Sequence, residues 1–361
     1  MGIVSRIARS VRHLPLFEEP TSQRYPFPPF PRGWYAMTFS ERVRPGTLRT
    51  VRFLGRELVL WRGASGRAFA TDPMCPHLGA HFGEGGAVVG DTLRCPMHHF
   101  CFDGDGACVA TPYGTKPPPA ARARTFPLVE RGGFLFARHD PTNASPDWEL
   151  PHVADDAWGA STCLRFTMRT HVQDIAENTV DVGHFGPTHG YSDVEALEPV
   201  RTQPNLLVSR YALHRSANIY GRRTAKIRVD LTIHLHGLGL YIIDGITEPG
   251  DVRTRTVFAA TPVAEDEVMF RIRMWVKDVG DARRVNGAMA WVPEAVHRHF
   301  ILQMSRLGVW NDVGQDVRIL NRKRYIERPA LAQGDGRFPL FRAWARQFYP
   351  AEAGAPGGAH T

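Results

Sequence analysis

Two groups of residues in this chain have the types and spacing that metal chemistry needs. The first is Cys75-Pro76-His77-Leu78-Gly79 followed by Cys95-Pro96-Met97-His98-His99-Phe100, a C-x-H pair and then a C-x-x-H pair. Each short loop offers one thiol and one imidazole, so both loops can close on one inorganic centre. Thiolates with imidazoles suit zinc or an iron–sulfur cluster. The second group is the D-x-x-H-x-x-x-x-H pattern of Asp181, His184 and His189. Two histidines and a carboxylate make a facial site that suits non-haem Fe(II) and leaves open positions for O2. The histidines are expected to converge because Pro187 would break a helix between them. A third ligand must come from further along. Asp312 and Asp316 are four apart and would share a helical face, so spacing alone does not choose between them.

These residues need elements to hold them. Residues 1–31 read as a lead-in, with Ile3, Val4, Ile7, Val11 and Leu14 on one possible helical face and arginines on the other. Tyr25 to Pro31 reads as a proline-rich spacer. Residues 32–140 read as short strands broken by Gly and Pro, a small all-β domain. A turn-rich stretch, residues 140–151, marks the boundary. Residues 150–350 read as an α+β domain. Residues 171–184 look helical, Ile227 to Leu235 and Val268 to Met274 alternate as antiparallel strands, and residues 282–323 look like a long helix. Residues 351–361 read as a flexible tail.

Composition narrows the function classes. The 361 residues are 43% hydrophobic and 22% charged, which is globular material. No apolar run is long enough for a transmembrane helix, and the start lacks a secretory signal, so a cytoplasmic protein is expected. The charge of +8 is an arginine excess without a basic block, so no nucleic-acid partner is expected. Five cysteines in a chain this long do not suggest a disulfide scaffold. Cys101 and Cys108 are expected as free core thiols.

Segment 75–100 closely resembles the Rieske [2Fe–2S] motif, in which two cysteines hold one iron and two histidines the other. The resemblance implies Cys75, His77, Cys95 and His98 as ligands, with His99 a neighbour. Ala80 and Met97 stand where respiratory Rieske proteins carry an extra cysteine pair, so the likeness is to the oxygenase or ferredoxin type. Segment 178–189 resembles the catalytic domain of Rieske non-haem iron oxygenases. That resemblance implies His184, His189 and Asp316 as Fe(II) ligands. It also implies a catalytic role for Asp181, bridging a cluster histidine of one subunit to an iron-bound histidine of the next. Segments 31–35, 75–80, 233–239 and 341–349 resemble the sterol- and steroid-acting branch, which includes cholesterol 7-desaturases and 3-ketosteroid 9α-hydroxylases.

The family implies an α+β architecture: an all-β Rieske domain, then a helix-grip, START-like catalytic domain with an antiparallel sheet and long C-terminal helices. It implies a monooxygenase-type oxidoreductase that hydroxylates or desaturates a hydrophobic substrate with O2. Electrons from NAD(P)H come through a separate reductase or ferredoxin, because the chain has no nucleotide fingerprint of its own. A homotrimer and a peripheral membrane contact are further expectations. The alternatives are oxidation or O-demethylation of an aromatic or natural product, a non-catalytic Rieske electron carrier with a lipid-binding domain, and a zinc-stabilised binding protein.

Overall fold

The structure, a computed structural model, describes residues 24–142, 148–154, 158–219, 222–281 and 291–350. The apolar stripe of the lead-in, the first part of the expected long helix and the C-terminal tail lie outside the described residues. The first strands are β1 (Gly33–Phe39), β2 (Leu48–Phe53), β3 (Arg56–Arg62) and β4 (Ala68–Thr71). Then come β5 (Ala87–Val89), β6 (Thr92–Arg94), β7 (Cys101–Phe102) and β8 (Cys108–Ala110). The series closes with β9 (Thr125–Phe126), β10 (Val129–Arg131) and β11 (Phe134–His139). They form two four-stranded sheets, β2-β3-β4-β9 and β5-β6-β7-β8, and a three-stranded sheet β1-β11-β10. Val59, Trp61, Phe82, Leu93 and Phe102 fill the space under the two cysteine loops.

The second half is a seven-stranded antiparallel sheet. Its strands are β12 (Ser161–Met168), β13 (Ser192–Thr202), β14 (Leu206–Ile219), β15 (Arg222–His236), β16 (Leu240–Glu248), β17 (Val252–Ala264) and β18 (Glu267–Asp278). The order is β12-β18-β17-β16-β15-β14-β13, so one crossover between β12 and β13 precedes a run of hairpins. Helix α1 (Val172–Glu177) and helix α2 (Phe185–His189) sit in that crossover. Helix α3 (Glu294–Leu320) and helix α4 (Phe338–Ala345) follow the sheet.

Period-2 patterning places both faces of the sheet. On β18, Val268, Phe270, Ile272, Met274 and Val276 are buried in the core shared with α3. Each such side chain contributes roughly 1.5–3 kcal/mol by leaving water. Trp275 on the opposite face packs with Phe39, Phe134 and Phe136, which joins the sheet to the N-terminal half. A bulge in β1 between Ala36 and Thr38 frees the Ala36 carbonyl from its ladder. That carbonyl accepts from the Arg271 guanidinium at 2.9 Å and the Thr261 hydroxyl at 2.8 Å.

Three local expectations need correction. The helix over 171–184 stops at Glu177, and a turn follows. Pro187 does not break a helix between the histidines. It lies inside α2, in the first turn, where a missing N–H loses nothing. Described residues of the long helix begin at Glu294, directly after Pro293. The proline-rich stretch is more than a spacer. Tyr25 is buried and donates to Asp174 Oδ2 at 2.8 Å, and the Arg32 amide donates to the Phe348 carbonyl at 2.8 Å. The stretch therefore straps the catalytic half to its own C-terminal end.

Candidate metal centres and substrate cavity

The two cysteine loops are built alike. In the first, the Cys75 amide donates to the Ala80 carbonyl and the Gly79 amide to the Cys75 carbonyl. In the second, the Cys95 amide donates to Phe100 and the His99 amide to Cys95. Each loop needs a left-handed residue at its fifth position. Gly79 supplies it at φ 77° without penalty, whereas His99 adopts φ 56° with a side chain. His99 is exposed.

Cys75 and Cys95 are buried, and the His77 and His98 rings meet at 4.7 Å between centroids. Phe100 stacks on His77 at 4.2 Å. Burial, and next its contact with Cys95, pushes the Cys75 thiol up to about 11, although backbone N–H donors pull the other way. His77 Nδ1 is buried with no hydrogen-bond partner among the described residues. Two packed thiols beside an orphaned imidazole nitrogen fit a cluster with mixed ligands. Cys101 and Cys108 are free, as expected, but half-buried at the edge of that core.

The second centre is assembled from two distant pieces of chain. Helix α1 is buried along its whole length, and its carboxylates are structural. Asp174 pairs with Lys323 at 2.8 Å and Glu177 with Arg342 at 2.8 Å. The turn after α1 is pinned to β14, because Ser209 and Tyr211 both donate to the Thr179 carbonyl. His184 then caps α2 and His189 ends it. Their ring centroids lie 5.1 Å apart. Helix α3 brings in Asp316. Ligand atoms of His184, His189 and Asp316 all lie within 4.8 Å of one another, and His189 Nε2 is 3.4 Å from Asp316 Oδ1. The helix face that Asp312 and Asp316 share therefore divides. Asp316 joins the histidines, while Asp312 accepts from the Tyr191 hydroxyl at 2.5 Å.

Both histidines are oriented through Nδ1. His184 Nδ1 lies 2.6 Å from the Asp181 carbonyl and 3.5 Å from its carboxylate. His189 Nδ1 lies 2.9 Å from Gln315 Oε1. These contacts leave each Nε2 for a metal, as outer partners of ligating histidines do. Burial pushes Asp316 above the ordinary carboxylate range. Burial also pushes Asp181 up, but its contacts with His184 outweigh that and hold it below. Two imidazoles and a carboxylate on one side of an open position fit Fe(II).

The triad opens on a cavity of about 650 Å³ between α3 and the sheet. Its walls are mainly Ile, Val, Leu, Phe and Met side chains, and Asn178 lies in its wall near the turn. Two groups that sequence reasoning missed interrupt the apolar lining, Arg215 and the buried His297. Gln315 was missed as well. Its partner His189 is 126 residues away, so no local spacing reveals it.

A small β domain carrying paired Cys/His loops, followed by a sheet-and-helix domain holding a two-histidine, one-carboxylate centre, defines a Rieske-type oxygenase component. Comparison with known proteins gives the family. Residues 33–127 match the Rieske [2Fe-2S] domain and residues 138–349 the 3-ketosteroid 9alpha-hydroxylase C-terminal domain, so the chain belongs to the 3-ketosteroid 9α-hydroxylase family of Rieske oxygenases. A cholesterol 7-desaturase of Ciona intestinalis is 27% identical over 348 residues, covering 89% of this chain and 69% of that protein. A 3-ketosteroid-9-alpha-monooxygenase oxygenase component of Rhodococcus rhodochrous is 25% identical over 340 residues, covering 89% and 84%. Among solved structures, dicamba monooxygenase bound to dicamba shares the fold with TM-score 0.59 at 18% identity, covering 88% of this chain and 95% of that one.

The chain is therefore an oxidoreductase with a [2Fe–2S] cluster and a mononuclear iron, served by a reductase or ferredoxin. The electron-carrier and zinc readings fall away. Among the described residues, no helix is long and apolar enough to cross a membrane.

Proposed function

We propose that the chain oxidises a sterol or steroid at a C–H bond, by hydroxylation or desaturation. Cys75, His77, Cys95 and His98 hold the cluster; His184, His189 and Asp316 hold the iron. The observation that carries the substrate reading is the triad's position in the wall of a largely apolar cavity of about 650 Å³. An apolar ring system fills such a cavity by leaving water, at roughly 25 cal/mol per Å² of apolar surface. The relatives named for cholesterol and 3-ketosteroids support the same class.

The two metal groups supply the one-electron and O2 chemistry when bound. The chain's own residues do the rest. Asp181 and Gln315 fix the rings of His184 and His189. Asp312 holds Tyr191 against the same corner. Apolar side chains of α3 and β15 to β18 keep water from the reacting carbon and orient the substrate.

The chain works as a ring of copies, a homotrimer, in which Asp181 of one copy faces a cluster histidine of the next. Leu78 and Met97, exposed at 67% and 62% on the two cluster loops, support a protein surface covering them. Phe300, exposed at the cavity, and Trp291, exposed shortly before α3, support peripheral contact with a lipid surface in the cytoplasm. The domain limits 32–140 and 150–350 describe the two working halves.

Turnover with a surrogate reductase, NAD(P)H and O2 tests the substrate reading. Cholesterol and a 3-ketosteroid are supplied in detergent and products are read by mass spectrometry. Gain of one oxygen or loss of two hydrogens is expected. Turnover of small methoxylated aromatics with no steroid product would move the substrate to the demethylase alternative.

A further inference from the structure

The cavity wall holds one cation whose charge nothing in the described structure answers. Arg215 on β14 lines the cavity, and among the described residues it has neither a carboxylate partner nor a hydrogen bond. Its described neighbour is the Tyr191 ring, whose centroid lies 6.0 Å from the guanidinium carbon. The nearby carboxylate of Asp312 is already engaged by the Tyr191 hydroxyl and the Asn311 amide. Among the described residues, other arginines on the sheet are paired. Arg210 meets Glu198, Arg228 meets Asp230 and Arg255 meets Asp244.

The helix opposite is shaped around this guanidinium. A Cβ at position 308 would lie 2.7 Å from Arg215 Nη2 and 3.3 Å from Nη1, so any other residue there would push the guanidinium out of its present place. Gly308 stands inside the 27-residue helix α3, where glycine is a poor helix former. A destabilising residue sits where it admits an unpaired charge to an apolar cavity. A guanidinium presents a planar fork of N–H donors that matches a carboxylate in two parallel bonds.

We infer that Arg215 is a substrate-binding residue and that the substrate is a hydrophobic acid whose carboxylate it takes. Gly308 and Asp316 are eight residues apart, about 12 Å of helix. The acid group is therefore held about two turns of α3 away from the triad, apart from the oxidised carbon. The inference rests on the cavity being the substrate site and narrows the sterol or steroid class to members that carry an acid.

The test measures binding to the purified full chain by calorimetry, with two matched pairs. One is a steroid bearing a side-chain carboxylate and its methyl ester; the other is a long-chain alkanoic acid and its methyl ester. In the unaltered protein the acid should bind about ten- to a hundredfold more tightly than its ester, the range for charge-assisted hydrogen bonds. Arg215→Gln should bring that ratio to about one, Arg215→Lys should leave it intermediate, and Gly308→Ala should lower it by displacing the guanidinium.

Visible absorption of the cluster and the mononuclear iron content of each variant together show that both halves of the chain have folded. If only the alkanoic pair binds, the steroid reading fails while the acid-to-ester ratio still decides the role of Arg215. An acid preference that Arg215→Gln leaves intact, or no preference in either pair, overturns the inference.

Discussion

The two metal centres reach the same end, a fixed set of donor atoms, by opposite routes. The cluster loops lie within one short stretch, and each closes on itself through two backbone hydrogen bonds. The iron centre joins a crossover segment to a helix more than a hundred residues later, and its histidines are held by side chains and a carbonyl that pack from outside. A local site survives changes in the rest of the fold. A distributed site depends on the crossover, the sheet and α3 keeping register together.

Separate deletions break the comparison most sharply. Cys95→Ala should abolish the visible cluster absorption and turnover while the triad still binds iron. His184→Ala should leave the absorption intact, remove the mononuclear iron and lower turnover on the order of a thousandfold or more. Metal analysis and absorption spectra of the two variants check this. Loss of both groups in either variant would mean the centres are not independent.

Gln315→Leu sharpens it. The change leaves every proposed ligand in place but frees the His189 ring, so iron affinity should fall about 10- to 100-fold with an unchanged cluster spectrum. Iron titration of the apo centre measures that shift.

Acid should act on the distributed half through His171. This histidine caps α1, lies 3.1 Å from the Pro28 carbonyl, and is held by burial down to about 4 from an ordinary 6.5. Between those values the unfolded chain binds more protons. Stability is therefore fully present above pH 6.5 and falls as pH drops toward 4, by roughly 3 kcal/mol over that window. Urea unfolding at several pH values should show the slope, and His171→Asn, which keeps a cap, should lessen it, leaving the share of His236, which burial also holds down to about 4.

The smallest effect lies in the local half. His99→Gly relieves a left-handed side chain, about 1–2 kcal/mol, against about 0.5–1 kcal/mol of added chain entropy. The variant should be more stable by about 1 kcal/mol or less, read as a small rise in melting temperature.

Legibility in the sequence followed the same divide. That Cys75 and His77, and Cys95 and His98, share compact loops was legible because within each loop neighbours in sequence are neighbours in space. The alternating strands Ile227 to Leu235 and Val268 to Met274 were legible because period two is a local pattern. Asp316 was separable from Asp312 only by resemblance, since which residue of one helix face meets α2 depends on how α3 crosses the sheet. Gln315 and the Ala36 carbonyl were invisible because their partners lie on other elements, and Arg215 because which residue of β14 reaches the cavity depends on how α3 packs on the sheet. The end of α1 at Glu177 was misplaced because tertiary contacts at Thr179 override local helical spacing.

The most direct measurement is iron and acid-labile sulfide analysis of anaerobically purified protein, with EPR of the dithionite-reduced sample. Two independent centres in one chain predict about three irons and two sulfides per chain and a Rieske-type signal. Zinc without sulfide, or an iron content that stays at two after Fe(II) is added, would contradict it.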